Sequence, residues 1–308
     1  MTMNLSWIDD FNALAATGNF SRAAEERHMT QPAFSRRIRA LEEWLGAELF
    51  DRSSQPARVT EVGEWFRAAA QDLQARVATI PGEARAVAEA TSSTLRFAST
   101  HALSFTFLPK WLRALEAHAA MGPIQLVSDV QQKCEGLLMQ SQVHFVLTHA
   151  HPGVRGELDD ANFPSLLVGA DQLLPVSAPD DQGRPLNRLD SDTTGAAPRM
   201  LGYSQESGLG RILKSLKGPA IDRLHHHQHI LTAHLASVLR TMAIDGRGVA
   251  WLPRLLVGED IEHGRLVIAA AAEWHVDLEI RLYRYRGHAG KAAEGFWRAA
   301  TTSITQPA

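Results

Sequence analysis

Between Thr30 and Leu45 the chain places Gln31 at a helix tip and gathers Pro32, Ser35, Arg36 and Arg39 on one helical side. Phe34, Ile38, Leu41 and Leu45 fall on the other side, where a core would take them. Glutamine can pair with adenine, and arginine with guanine or a phosphate. A helix N-terminus also attracts phosphate. This combination is the chemistry of a helix lying in a DNA major groove. A basic helix face is ordinarily just solvated, so the reading leans on what surrounds it. Ala23 and Ala24 allow another helix close approach, and a tight turn follows at His28-Met29-Thr30.

Other residues invite chemistry less strongly. Cys134 is expected near a helix start, where a thiolate would be stabilised, but the favoured reading is a small packed residue. Met121, Met139, Met200 and Met242 are oxidisable to polar sulfoxides, though methionine usually fills a core. His149-x-His151 and the HHHQH run at 225–229 suggest a metal. Adjacent histidines on a strand point to opposite faces, so no metal site and no cofactor is expected. GYSQE at 202–206 lacks the second glycine of a nucleophile elbow, and neither a P-loop nor a dinucleotide fingerprint appears. No catalytic set is expected, and the chain reads as a non-enzyme.

Three helices are expected before residue 46. Trp7, Ile8, Phe11, Leu14 and Ala15 share the first apolar face. Ser21 is expected to cap the second helix and Thr30 the third, with Pro32 tolerated in its first turn and Gly46 ending it. Ser-Ser-Gln-Pro at 53–56 suits the tip of a small β wing. From Glu61, the stripe Val62, Phe66, Ala69, Leu73, Val77 and Ile80 predicts a helix that needs a partner. Pro81-Gly82 should break or kink it, and 90–94 reads as a linker. Thereafter strand-like and helical runs alternate, which predicts an α/β fold with a largely parallel sheet in two linked lobes.

The 308 residues are 45% hydrophobic and 21% charged, enough for packed domains. The formal net charge of −3 means that any affinity for nucleic acid is local. A single cysteine excludes an internal disulfide and fits a reducing compartment. No signal peptide or membrane span is expected, which points to a cytoplasmic protein without membrane partners.

The segment SRAAEERHMTQPAFSRRIRALEEWLGAELFDRS resembles the N-terminal region of LysR-type transcriptional regulators. Ala23-Ala24, Thr30-Gln31-Pro32-Ala33, Ser35, Arg36-Arg37, Ile38, Leu41-Glu42, Leu45-Gly46 and Leu49-Phe50-Asp51-Arg52 match the family's winged helix-turn-helix pattern in order. VTEVG at 59–63 is similar to the entry into the family's linker helix, and GRGVAWLPRLL at 246–256 to its second effector lobe. Arg27 departs from the pattern by standing at a usual core leucine. Short motifs, among them QPAFSRRIRALE and DGRGVAWLP, look closest to the hypochlorite-responsive branch.

The candidate DNA-contacting set is Ser21, Thr30, Gln31, Pro32, Ser35, Arg36, Arg37, Arg39 and Arg52. The resemblance implies an N-terminal all-α winged helix-turn-helix at 1–60, a linker and dimerisation helix at 61–90, and a periplasmic-binding-protein-like effector domain at 95–308. Lobe I would take about 95–166 and 267–308, and lobe II about 167–266. An effector cleft would lie beyond the strand ends, with Ser99, Thr100, His101, Ser128, Thr148, His149, Tyr203 and Ser204 as its candidate lining. Double-stranded promoter DNA, an unidentified small-molecule effector or oxidant, and a homo-oligomer built as a dimer of dimers are the implied partners. The rival function is a non-regulatory small-molecule or metal-binding protein.

Overall fold

The computed structural model describes residues 3–53, 56–88, 93–116, 121–159, 161–189, 198–222, 228–287 and 290–305. The chain divides into two compact units, Met1–Ala78 and Thr79–Ala308.

The first unit packs α1 (Ser6–Thr17), α2 (Phe20–Glu26) and α3 (Gln31–Leu45) around Phe11, Leu14, Ala23, Phe34, Ile38 and Leu41, all buried. Ala23 and Ala24 are enclosed, which is why small residues stand there. Gly18 ends α1 at φ +61, and a Cβ there would stand 2.7 Å from Pro56 Cβ. The turn between α1 and α2 therefore needs glycine for conformation and for space. The cap of α2 is Asn19, not Ser21: the Asn19 Oδ1 accepts from the N–H groups of Ser21 at 2.9 Å and Arg22 at 3.2 Å. Thr30 occupies the cap position of α3 without a side-chain bond. A short antiparallel wing, β1 (Phe50–Asp51) with β2 (Arg58–Val59), pairs Phe50 with Val59.

From the wing the chain enters α4 (Glu61–Ala88), which runs through Pro81 as one helix. The expected break is corrected. Proline forfeits one bond of the ladder, and the rest of this long helix continues around an exposed ring. Phe66 packs into the first unit's core. Val62, Leu73, Val77 and Ile80 are exposed, and Trp65 beside them is 62% exposed.

The second unit opens with β3 (Leu95–Thr100), α5 (His101–Thr106), α6 (Leu108–Glu116), β4 (Ile124–Asp129), α7 (Gln131–Met139) and β5 (Phe145–Ala150). It continues with β6 (Ser165–Ser177), β7 (Arg199–Tyr203), α8 (Gly208–Asp222), β8 (Gln228–Ala233), α9 (Ala236–Ile244) and β9 (Val249–Pro253). It closes with α10 (Arg254–Glu262), β10 (Val267–Ile268), β11 (Val276–Arg284) and α11 (Gly290–Thr305). The strands form one sheet in the order β4-β3-β5-β11-β6-β9-β7-β8, with β10 beside β6.

Parallel pairing holds inside each lobe, in β3 with β4 and β5, and in β7 with β8 and β9. The strands that cross between the lobes, β6 and β11, pair antiparallel with each other and with their other neighbours. The sheet is therefore mixed, where a largely parallel one was expected. Alternation along the strands sends successive residues to opposite cores. Phe97 and Phe145 face a cluster with Phe296, while Ala98 and Val146 face Cys134 and Leu138. Leu173 and Trp251 face α8, while Leu174 and Leu252 face α9 and α10. Each lobe is thus a sheet covered by helices on both faces.

Candidate functional sites

On the first unit, Gln31, Ser35 and Arg39 of α3, Ser21 and Arg22 of α2, and Arg52 beside the wing line one concave surface of about 620 Å³. Thr30, Pro32 and Arg36 are exposed but do not line it. Arg52 is held from two sides. Its guanidinium lies 5.5 Å from the Phe20 ring centroid and donates to the Glu42 carboxylate. Glu42 also accepts from the Leu49 N–H at 3.0 Å, so one buried acid ties α3 to the wing. Arg22 was not singled out from sequence; the asparagine cap that positions it was the available signal.

Arg37 is a correction. It turns away from the exposed face, its Nε lying 2.7 Å from Asp10 of α1 while a terminal nitrogen donates to Ser6 Oγ. Arg27, odd at a core position, makes its own contact with Asp10 at 2.9 Å.

In the second unit a cleft of about 40 Å³ forms where α5, α7, α8 and α9 all begin. Thr100, His101, Gln131, His149, Ser207 and His234 are among its lining. Free N–H groups and helix dipoles therefore converge on one small volume. The His101 and His234 rings meet edge to face, 6.4 Å between centroids. Thr100 Oγ1 and His101 Nδ1 are enclosed without a protein hydrogen-bond partner. His149 Nε2 lies 3.0 Å from Asp171 Oδ2, and both side chains are almost fully buried. The other Asp171 oxygen accepts from the N–H groups of Gln172 at 2.8 Å and Leu255 at 3.1 Å. A carboxylate only accepts, so His149 donates from Nε2 and turns Nδ1 elsewhere.

Of the residues expected here, Thr100, His101 and His149 come together and five do not. Ser99 and Thr148 are buried within their strands, and Ser99 Oγ donates to the Thr100 carbonyl at 3.3 Å. Ser128 is exposed on the edge strand and accepts from Ser104 Oγ at 2.9 Å. Tyr203 and Ser204 line a different groove, of about 560 Å³, between β7 and α8. The Tyr203 hydroxyl donates to the Trp251 carbonyl at 2.8 Å, and burial pushes it well above the usual phenol range. Gln131, Ser207 and His234 were missed because each precedes or opens a helix and carries no periodic signal.

Beside the cleft, Arg211 of α8 reaches Glu135 of α7 at 3.3 Å, and Gln131 Nε2 donates to the same oxygen at 2.7 Å. Burial raises the Glu135 carboxyl above its usual range, against these two donors. Cys134 lies in the first turn of α7, wholly buried as a small packed residue, and burial pushes its thiol up to about 12, against the reactive-thiolate reading. Met200 is buried, and Met121, Met139 and Met242 are half-buried against hydrophobic clusters. His151 Nδ1 accepts from Gly153 N–H at 2.9 Å, so His149 and His151 diverge. Residues 225–227 of the histidine run lie outside the described residues, as do 90–92 of the expected linker. Among the described residues no group of three or more potential ligands is placed to hold a metal ion, and no helix is long and apolar enough to cross a membrane.

Comparison with known proteins agrees with this architecture. Residues 5–64 match the bacterial regulatory helix-turn-helix protein, lysR family, and residues 88–304 match the LysR substrate binding domain. The transcriptional regulator YjiE of Escherichia coli is 30% identical over 95% of this chain and 92% of its own. The full-length structure of HypT from Salmonella typhimurium, a hypochlorite-specific LysR-type transcriptional regulator, is 27% identical with a TM-score of 0.59, over 99% of both chains. Vibrio fischeri DarR in complex with DNA is 28% identical with a TM-score of 0.57, over 97% of this chain and 99% of its own. A helix-turn-helix model over residues 5–64 and a substrate-binding-domain model over residues 88–304 place this chain in the LysR family of DNA-binding transcriptional regulators.

Proposed function

We propose that this regulator answers to a compact anion, or an oxidant of that size, held in the cleft between the two lobes. The carrying observation is the cleft itself. It is about 40 Å³, lined by three histidines, and four helices begin at its wall. One water needs about 10–15 Å³ of such space, so the cleft has room for a few water-sized groups and suits a ligand of a few atoms. The orphaned Thr100 Oγ1 and His101 Nδ1 are groups such a ligand would satisfy.

An oxidant reading has support in the resemblance to HypT, described as hypochlorite-specific, and hypochlorite is itself a compact anion. The enclosure of Cys134 and the packing of the four methionines favour reversible binding over direct modification. The division of labour follows the expected boundaries: a DNA-binding head at 1–60, a linker helix at 61–90 and an effector domain at 95–308. Two copies would pair along the exposed apolar side of α4, acting on promoter DNA in the cytoplasm.

Titrating full-length protein with chloride, bromide, nitrate and formate, followed by thermal shift, tests the reading. Stabilisation by a small anion, lost in His101→Ala and His234→Ala, supports it. Equal stabilisation in both variants, or a response only to hypochlorite with a mass increase on a methionine, overturns it.

A further inference from the structure

A carboxylate on an interior helix face costs free energy unless cations satisfy it. Asp10, wholly buried on α1, has two. Arg27 Nε donates to its Oδ1 at 2.9 Å. Arg37 Nε lies 2.7 Å from its Oδ2, off the line of a hydrogen bond. The string continues outward. Arg27 also pairs with Asp9 at 3.4 Å, and Asp9 accepts from Gln74 Nε2 of α4 at 3.1 Å. Polar contacts thus run from the recognition helix α3 through α1 to α4, all inside the first unit.

On α3, Arg37 stands about 100° around the axis from its neighbour Arg36. Arg36 is exposed, while Arg37 is bent back onto α1 with its side chain 30% exposed. Released, a long cationic side chain next to Arg36 would find DNA phosphate the strongest anion nearby. Phosphate contacts add affinity for any sequence and dilute discrimination.

We propose that Asp10 is a specificity-determining positioning residue. It fixes the roll of α3 and withholds Arg37 from the phosphate backbone, leaving sequence readout to the exposed side of α3.

The test uses full-length protein, a duplex selected by it from random-sequence DNA, and a scrambled duplex of equal length. Affinities are measured over a range of salt. Arg37→Met should leave the salt dependence on the selected duplex unchanged, because no phosphate contact is lost. Its preference for selected over scrambled DNA should fall roughly tenfold, about the loss of one well-read base pair. Asp10→Asn should steepen the salt slope by about 0.9, one added phosphate contact, and the double variant should return to the wild-type slope. A slope made shallower by about one in Arg37→Met would show that Arg37 touches phosphate and overturn the proposal. So would an unchanged preference in that variant. If Asp10→Asn loses its cooperative melt, Arg37→Met alone decides, because it keeps the Asp10–Arg27 pair.

Discussion

Cys134 occupies the fourth position of α7 with no exposed surface, and burial pushes its thiol up to about 12. A thiolate is the reactive form, so the native side chain is inert near neutral pH. Iodoacetamide at pH 8 should leave the folded protein unmodified and label the urea-unfolded chain, as read by intact mass. The sequence placed this cysteine near a helix start and favoured a packed residue there, and the structure shows how complete the enclosure is. Its neighbour Glu135 makes the complementary case. Burial raises its carboxyl above the usual range, opposed by Gln131 and Arg211. The folded protein therefore holds that proton more tightly than the unfolded chain does. The resulting stabilisation is full below the ordinary value of 4.5 and is lost as pH rises through the raised folded value. Glu135→Gln should lose less melting temperature than wild type between pH 4.5 and neutrality. Parallel curves for the two proteins would show that the raised carboxyl contributes nothing to stability.

At the scale of elements, α3 behaves as its spacing predicts. Its apolar side is buried and Gln31, Arg36 and Arg39 are exposed. Gln31→Ala and Arg36→Ala should each weaken specific binding by roughly 1–3 kcal/mol without altering the melt. An electrophoretic shift on the selected duplex checks this. The exposed stripe of α4 is equally legible: Leu73→Glu with Val77→Glu should leave the head folded and give a smaller oligomer by light scattering. Apolar period reveals such elements because one face must be buried, by this chain or a partner. It does not reveal strand direction, so β6 and β11, which run antiparallel to their neighbours, read like the parallel strands around them. Nor does it separate elements without punctuation. The helix α10 follows β9 directly at Pro253 and was unread. Tip residues such as Gln131, Ser207 and His234 belong to no stripe, which is why only part of the cleft could be named beforehand.

Across the whole effector unit, β6 and β11 belong to both lobes, so any movement of one lobe against the other would have to bend two shared strands. Several contacts join the lobes at the cleft, among them the His101–His234 ring pair. Arg211 reaches Glu135, and Gln131 at the start of α7 packs against Gly208 at the start of α8. A Cβ on Gly208 would fall 1.5 Å from Gln131 Oε1 and 3.1 Å from its Cβ. The glycine suits the close approach of two helix ends, and its backbone is not left-handed. Gly208→Ala is expected to push the Gln131 amide aside, away from Glu135, or to part the two helix ends where that amide cannot yield. Hydrogen exchange reports such opening directly, since amides at both helix starts lose protection when the contact is lost. Peptides covering 130–136 and 206–212 should exchange faster in Gly208→Ala than in wild type. Trimming the obstructing side chain should reverse the effect, so Gln131→Ala with Gly208→Ala should recover protection at 206–212. If the single variant exchanges like wild type, Gln131 moves aside freely and this contact does not hold the lobes. If the double variant stays as exposed as the single one, α8 itself has been disturbed, and the Gln131–Gly208 contact is not what holds the helix ends together.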